Sequence, residues 1–259
     1  MTFWEHFEEL RWVLVRSVIA VIAGAILAFV FYRVIFDEFV FAPMSPSFFT
    51  NRILCDLAQQ FNIPVLCINS KPLEIININL AGQFTMHLVV SMYSGLIVAF
   101  PYIIYQLWSF IKPALSYQER KSSRMAVLFI SMLFFTGVLF GYYIIAPLTI
   151  HFLGTYNVSE GVVNTININS YIGSLSSVTL ASGIVFELPI LILFLTKMGL
   201  VTPSFLRKYR KHSFVAIMIL AAIITPPDVI SLILVVLPLY ILFEISILLS
   251  SRINRKKKE

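Results

Sequence analysis

Long uninterrupted runs of apolar residues constrain the fold of this chain more than any other feature of its sequence. Several runs reach the ~20 residues that an α-helix needs to cross the hydrocarbon core of a bilayer. Backbone groups in that core must be hydrogen-bonded within the protein, so only helices or a closed β-barrel can span it. The runs are continuous, without the alternation of barrel strands of about ten residues. We therefore predict an all-α, polytopic integral membrane protein.

Composition supports this prediction. The 259 residues are 59% hydrophobic and 12% charged, whereas a soluble domain carries about 25% charged residues. The net charge is +6, but the cations lie at the ends of apolar runs and form no single patch, which argues against a nucleic-acid partner. The first run follows acidic residues and is too long for a cleaved signal peptide.

The apolar runs predict six transmembrane helices in one domain that covers residues 1–259. A long outward loop at 33–83 follows the first span, and a tail at 251–259 follows the last. Pro101 predicts a kink in the second span. The predicted spans are 12–32, 84–111, 126–150, 171–198, 213–225 and 229–250.

Positive charges predict the orientation of these spans. Of the 19 Lys and Arg residues, only Arg33, Arg52 and Lys71 fall on the side opposite the N-terminus. Cytoplasmic loops carry the excess of Lys and Arg, so both termini are predicted to be cytoplasmic.

Spans five and six are predicted to be short. Fourteen residues separate Lys211 from Pro226. At about 1.5 Å per residue they extend roughly 21 Å, whereas the hydrocarbon core is about 30 Å thick. A span of this length thins the bilayer locally, or tilts and pairs with a neighbour.

Two carboxylates are predicted to lie at the cytoplasmic membrane surface. Glu9 precedes span one in HFEELR, where acids also complement a helix dipole and Glu8 can pair with Arg11. Glu119 follows span two beside Arg120, where an exposed ion pair would contribute little. Taken together, the two carboxylates could accept two guanidinium groups in charge-assisted hydrogen bonds.

Glu187 is placed in the middle of span four, a depth at which ionisable groups are rare and usually functional. Gly183, Ser176 and Gly173 recur on the same helical face. This stripe fits either a polar site or close helix packing by small residues.

Four further residues carry separate expectations. Asp228 is predicted to cap span six, and Glu244, nearer the cytoplasmic end of that span, could extend towards the interface. Cys55 and Cys67 fall in the outward loop, where the compartment permits a disulfide, and two free thiols are the alternative.

Motifs typical of enzymes are absent from the sequence. It contains no phosphate-binding glycine loop, no His-Glu-x-x-His zinc motif and no Gly-x-Ser-x-Gly elbow. The four His residues show no ligand spacing. We therefore expect no enzymatic activity, no cofactor and no metal.

Five motifs occur in order along the chain: HFEELR, FAPM, YQLWSFIKPALSYQER, FELP and ITPPDV. Together they closely resemble the TatC family, the large subunit of the twin-arginine protein translocase, over nearly the whole chain. The resemblance implies a receptor for paired-arginine signal peptides of cargo that is exported folded. It implies single-span partners of the TatA and TatB kind, a homo-oligomeric receptor complex, the proton motive force as energy source and a bacterial inner membrane.

The resemblance also implies roles for individual residues. In that family the two arginines bind the Glu of the first motif and the Glu after span two, here Glu9 and Glu119. Intramembrane polar or partner-docking positions are implied at Pro43, Glu187 and Asp228, and we group Glu244 with them. Residues near the recognition site are Leu10, Arg11, Phe110, Pro113 and Arg120.

The chain departs from the family pattern in two places. The outward loop carries an added stretch, CDLAQQFNIPVLC, whose role the resemblance does not supply. The residue four after Asp228 is Leu232, where some members carry a polar side chain, so a partner contact through that group is in doubt.

Two other function classes remain open from the residues. An ion-coupled solute transporter with Glu187 as proton carrier would show internal repeats or paired broken helices, and the sequence indicates neither. A membrane scaffold without a ligand would tolerate Glu9→Gln and Glu119→Gln.

Overall fold

The computed structural model describes residues 3–63, 67–69, 74–111, 123–159, 164–225 and 229–256. The described chain is almost entirely helical. It divides into two compact units, one formed by Met1–Ala42, Ile75–Leu133 and Asn167–Ser176 and the other by Pro43–Glu74, Phe134–Ile166 and Ser177–Glu259.

The helices and strands are as follows. The α-helices are α1 (Phe3–Val30), α2 (Tyr32–Val34), α3 (Phe49–Phe61), α4 (Gly82–Ile111), α5 (Ser123–Phe140), α6 (Ala146–Thr155), α7 (Ile168–Val185), α8 (Leu188–Lys197), α9 (Pro203–Lys208), α10 (Arg210–Ile224) and α11 (Val229–Lys256). Ile35–Val40 and Gly141–Ile145 are π-helical, Ala42–Met44 is a 3-10 helix, and β1 (Ile75–Ile76) and β2 (Ile166–Asn167) are two-residue strands.

Five helical stretches of the described chain are long and apolar enough to cross a membrane. They are Phe7–Val30, Gly82–Ile111, Ala126–Thr155, Ile168–Lys197 and Ser231–Arg252. These stretches confirm a polytopic helical membrane protein and match predicted spans one to four and six in position. Because α10 has only 15 residues, the crossing at span five stays a prediction, and so does the count of six.

The expectation of two short spans holds only for α10. Helix α11 has 28 residues, and its apolar stretch Ser231–Arg252 has 22 residues. It is therefore long enough to cross a hydrocarbon core of about 30 Å. The prediction that span six is short was wrong, because its predicted bounds 229–250 already contain 22 residues, as many as this apolar stretch.

In the first unit, α1 and α4 pack closely through glycine. A Cβ atom placed on Gly95 would lie 2.5 Å from the Ala25 nitrogen and 2.6 Å from the Val21 carbonyl oxygen. Further along the pair, the Phe29 and His87 rings stack with their centroids 3.9 Å apart. Small residues let helix backbones approach in this way where lipid supplies no hydrophobic driving force.

In the second unit, α5 and the end of α7 also meet through small residues. A Cβ atom on Gly137 would lie 2.6 Å from the Ser182 carbonyl oxygen, and one on Gly183 would lie 2.8 Å from the Phe134 ring. Phe134 is fully buried. This contact positions the segment that follows α7, where Glu187 lies.

Three polar contacts join the ends of α8, α9, α10 and α11 in the second unit. The hydroxyls of Thr196 and Ser250 lie 3.0 Å apart, and Arg207 Nη2 donates to Ser251 Oγ at 3.0 Å. Arg210 Nη2 donates to Glu244 Oε2 at 2.7 Å. The C-terminal ends of α8 and α11 therefore lie beside the N-terminal end of α10. This arrangement places the cations of these segments at one end of the unit.

The predicted outward loop at 33–83 contains regular structure that we did not predict. Its 13-residue helix α3 carries Asn51, which is 1% exposed. Asn51 Nδ2 donates to the carbonyl oxygens of Pro43 at 3.0 Å and Ser45 at 2.8 Å, and Asn69 Nδ2 lies 3.3 Å from Asn51 Oδ1. The sulfur atoms of Cys55 and Cys67 are bonded in a disulfide, so two sets of contacts tie this segment together.

Candidate functional site

Glu9 lies inside helix α1, which begins at Phe3 and continues through the HFEELR motif into the apolar run. The Glu9 side chain is half-buried, whereas Glu8 is exposed. The Oε2 atom of Glu9 is buried and has no hydrogen-bond partner among the described residues. A buried carboxylate oxygen without a donor costs free energy, so this atom is suited to receive a donor from a ligand.

The antiparallel pairing of α1 and α4 sets the surroundings of Glu9. Gly24 lies against Gly95, and Phe29 lies against His87. In an antiparallel pair, residues nearer the start of α1 lie beside residues nearer the end of α4. Glu9 is therefore level with the last turn of α4. That turn carries Trp108, whose indole N–H is also buried without a partner among the described residues, and the half-buried Phe110.

Leu10 and Arg11 follow Glu9 in the sequence and line a shallow groove on the opposite face of α1. The groove has a volume of about 280 Å³ and is lined by Phe7, Leu10, Arg11, Leu14 and Val15. Its walls are almost wholly apolar and carry one cation. A groove of this kind suits a short segment with an apolar side chain better than a small polar solute.

Four predicted residues, Glu119, Arg120, Pro113 and Asp228, lie outside the described residues. The pairing of Glu9 with Glu119 therefore stays a prediction, as does the cap of span six by Asp228. Among the described residues, no group of His, Cys, Asp or Glu could hold a metal ion.

Glu187 lies at a break in span four, between α7 and α8. Pro189 explains the break, because a proline ring clashes with the carbonyl four residues earlier, and α7 ends at that residue, Val185. The carbonyl of Glu187 accepts from the N–H groups of Ile190 at 3.0 Å and Leu191 at 3.1 Å, which begins α8. We had predicted span four as one uninterrupted segment over 171–198, and this break was not predicted.

The carboxyl group of Glu187 is half-buried. The backbone of Phe134 hydrogen-bonds to it, and its Oε1 atom is buried with no partner among the described residues. The carboxyl group therefore has unused hydrogen-bonding capacity.

The predicted stripe of small residues behind Glu187 is not one packed face. Gly183 packs against Phe134 and Val138, whereas a Cβ atom on Gly173 would meet nothing within 4 Å. Close packing by small residues is thus found at the end of α7 next to Glu187 and not at the Gly173 position.

Glu244 has partners that the sequence did not indicate. Its Oε2 atom accepts the Arg210 bond at 2.7 Å, and Tyr240 Oη donates to its Oε1 atom at 3.1 Å. Tyr240 could have been found from its i, i+4 spacing on α11, but no local pattern indicates Arg210. Pro43, another of the predicted docking positions, is fully buried.

Comparison with known proteins gives consistent matches over most of the chain or all of it. Residues 5–238 match the family described as "Sec-independent protein translocase protein (TatC)". A protein of that name from Blattabacterium sp. subsp. Periplaneta americana (strain BPLAN) is 43% identical over 99% of this chain and 97% of its own length. Another, from Aquifex aeolicus (strain VF5), is 33% identical over 100% of this chain and 98% of its own length.

A solved structure has the same fold. The chain described as "Crystal Structure of Twin Arginine Translocase Receptor- TatC in DDM" matches with a TM-score of 0.71 and 31% sequence identity. The match covers 95% of this chain and 99% of the solved one.

Proposed function

Because this chain belongs to the TatC family and is a membrane-embedded subunit of the Sec-independent twin-arginine translocase, we propose that it is the receptor for paired-arginine signal peptides. The observation that carries the proposal is the state of Glu9. This carboxylate is half-buried next to the start of a span, and its Oε2 atom is without a donor among the described residues. A guanidinium group of the ligand would supply that donor in a charge-assisted bond.

Glu119 is the second carboxylate of the proposed site. One arginine binds each carboxylate, and the planar guanidinium fork allows two parallel hydrogen bonds to the same group. Leu10, Arg11, Phe110 and Arg120 surround the pair in this proposal.

The remaining predicted residues are assigned to docking within the membrane. Glu187 would face the apolar part of the signal or the helix of a small subunit, and its unused Oε1 atom supports a polar contact there. Asp228, Pro43 and Glu244 complete this group. The proposed partners are TatA- and TatB-type single-span subunits and further copies of this chain, in a bacterial inner membrane with both termini cytoplasmic, with the proton motive force driving export.

Crosslinking of a paired-arginine signal peptide to this chain in membranes tests the proposed receptor site. The double variant Glu9→Gln with Glu119→Gln removes both charges while keeping the size of the side chains. We expect crosslinking to fall by about tenfold or more, because losing one partner of a desolvated charge pair is costly. The amount of variant inserted in the membrane is measured in parallel.

Glu8→Gln is the matched control for this experiment. Glu8 is the neighbouring carboxylate and is exposed, so its replacement removes one charge from the same turn of α1 while keeping both carboxylates of the proposed site. If crosslinking fell equally in Glu8→Gln, the loss in the double variant would reflect general electrostatic attraction and not binding at the proposed site. Unchanged crosslinking in the double variant, at normal insertion, would make the carboxylates structural and refute the receptor site.

Replacing the Arg-Arg pair of the signal peptide with Lys-Lys should weaken binding, because lysine lacks the planar fork. Binding of the Arg-Arg peptide should also weaken as salt rises from about 0.05 to 0.5 M, since partly exposed ion pairs are screened. Both effects are measured as the Kd of a labelled peptide for the purified protein. Equal Kd values for the two peptides across the salt series would contradict bidentate recognition.

A further inference from the structure

An apolar cleft opens in the second unit between α8, α10 and α11. Its volume is about 170 Å³, and Ser213 is the only polar side chain among its lining residues. On α10 the cleft runs from Ser213 to Leu220, which is about 10 Å along the helix axis at 1.5 Å per residue. Because these helices lie in apolar stretches or beside them, the cleft is suited to a hydrocarbon chain that runs along α10.

Positive charge is concentrated at one end of this cleft. Arg210 precedes Ser213 by three residues, so both lie on the same face of α10. The Arg210 side chain remains 47% exposed although it pairs with Glu244, and a guanidinium carries five N–H donors. Lys208 precedes Arg210 and is exposed, whereas Lys211, two residues before Ser213, lies on the side of α10 away from the cleft.

We propose that the cleft and these cations form a binding site for one anionic phospholipid. The phosphate group binds Lys208 and Arg210, and one acyl chain lies in the cleft along α10. Basic pockets between transmembrane helices on the cytoplasmic side are a recurrent site for acidic lipid headgroups. This site is separate from Glu9 and does not depend on the proposed receptor function.

Charge complementarity selects the occupant. The segment Arg207–Lys211 holds four cations, and Glu244 is the one carboxylate that the described structure pairs with them. The end of the cleft is therefore positive after that ion pair has formed. An anionic headgroup gains from each such cation about fivefold in affinity, whereas a zwitterionic headgroup or an apolar helix does not.

Native mass spectrometry of the full-length protein in detergent tests this site, with phosphatidylglycerol and phosphatidylcholine as probes. The wild type should retain one phosphatidylglycerol molecule in preference to phosphatidylcholine. Lys208→Gln should lower retention of phosphatidylglycerol by about fivefold. Arg52→Gln removes the same charge from an exposed residue elsewhere and should leave retention unchanged.

A second pair of variants tests the acyl chain. Ala216 lines the cleft, whereas Ala222 on the same helix does not, and both are exposed. Ala216→Leu should reduce retention of phosphatidylglycerol, and Ala222→Leu should not.

Three results would overturn the proposal. The first is equal retention of the two lipids by the wild type, and the second is undiminished retention of phosphatidylglycerol in both the Lys208 and Ala216 variants. The third is a single-span subunit that crosslinks to position 216 while no lipid is retained, which would assign the cleft to a helix.

Discussion

Gly95→Ala is expected to lower the free energy of unfolding by about 3 kcal/mol, near the upper end of overpacking effects. The new methyl group would lie 2.5 Å from the Ala25 nitrogen and 2.6 Å from the Val21 carbonyl oxygen. Both are backbone atoms of α1, so no side-chain rotation can relieve the clash. Helices α1 and α4 must move apart, which also loosens the packing that positions Glu9.

The matched control for this prediction is Gly173→Ala. A Cβ atom at Gly173 meets nothing within 4 Å, and alanine favours a helix over glycine by about 1 kcal/mol. This variant should be as stable as the wild type or more stable. Denaturant unfolding in detergent, followed by circular dichroism, measures both, and equal midpoints for the two variants would refute close backbone contact at Gly95.

Asn51→Ala is expected to lower the free energy of unfolding by about 3 kcal/mol as well, for a different reason. The substitution removes the amide donor from the Pro43 carbonyl, and the Ser45 carbonyl keeps only its bond from the Phe48 N–H. Asn69 Nδ2 loses one of its two acceptors. Each buried polar group left unpaired costs about 1–3 kcal/mol. Asn51 is only 1% exposed, so water cannot easily replace the hydrogen bonds of the lost amide.

Two further variants sharpen this test. All proteins are measured without reductant, so that the Cys55–Cys67 disulfide is kept. Gln59→Ala alters an exposed residue of the same helix and should change the free energy of unfolding by less than about 0.5 kcal/mol. Asn51→Asp keeps the acceptor but removes the amide donors and buries a charge, so it should be at least as harmful as alanine at neutral pH. A stable Asn51→Ala protein would show that the network contributes nothing.

The spans were the part of the fold that the sequence predicted well. A continuous apolar run in a bilayer forms a helix, because its backbone N–H and C=O groups must hydrogen-bond to one another. The long helices therefore coincide with the apolar runs. Helix α3 was missed because its polar composition resembles a loop. Its signal was present, since Ile53, Leu57 and Phe61 recur at four-residue intervals, as on one face of a helix.

The contacts around the candidate site were harder to predict. Pro189 could have indicated the break at Glu187, since proline in a helix interior removes a hydrogen bond and clashes with the preceding turn. The pair Arg210–Glu244 joins residues 34 positions apart, and the approach of Gly95 to Ala25 joins different helices. Such pairs depend on how helices pack, which local spacing does not encode. The role of Glu9 came from resemblance to a family, and the structure adds its unpaired oxygen.

The break at Glu187 has a mechanical consequence for the fourth span. A continuous helix transmits a push or a twist along its axis as a rod does, whereas α7 and α8 are two links joined at a turn. The end of α7 is held by its glycine contacts with α5, and α8 is attached to α11 through Thr196 and Ser250. We therefore expect a force applied at the Lys197 end to bend the span at the turn between α7 and α8. The Glu187 carboxyl group lies at this turn.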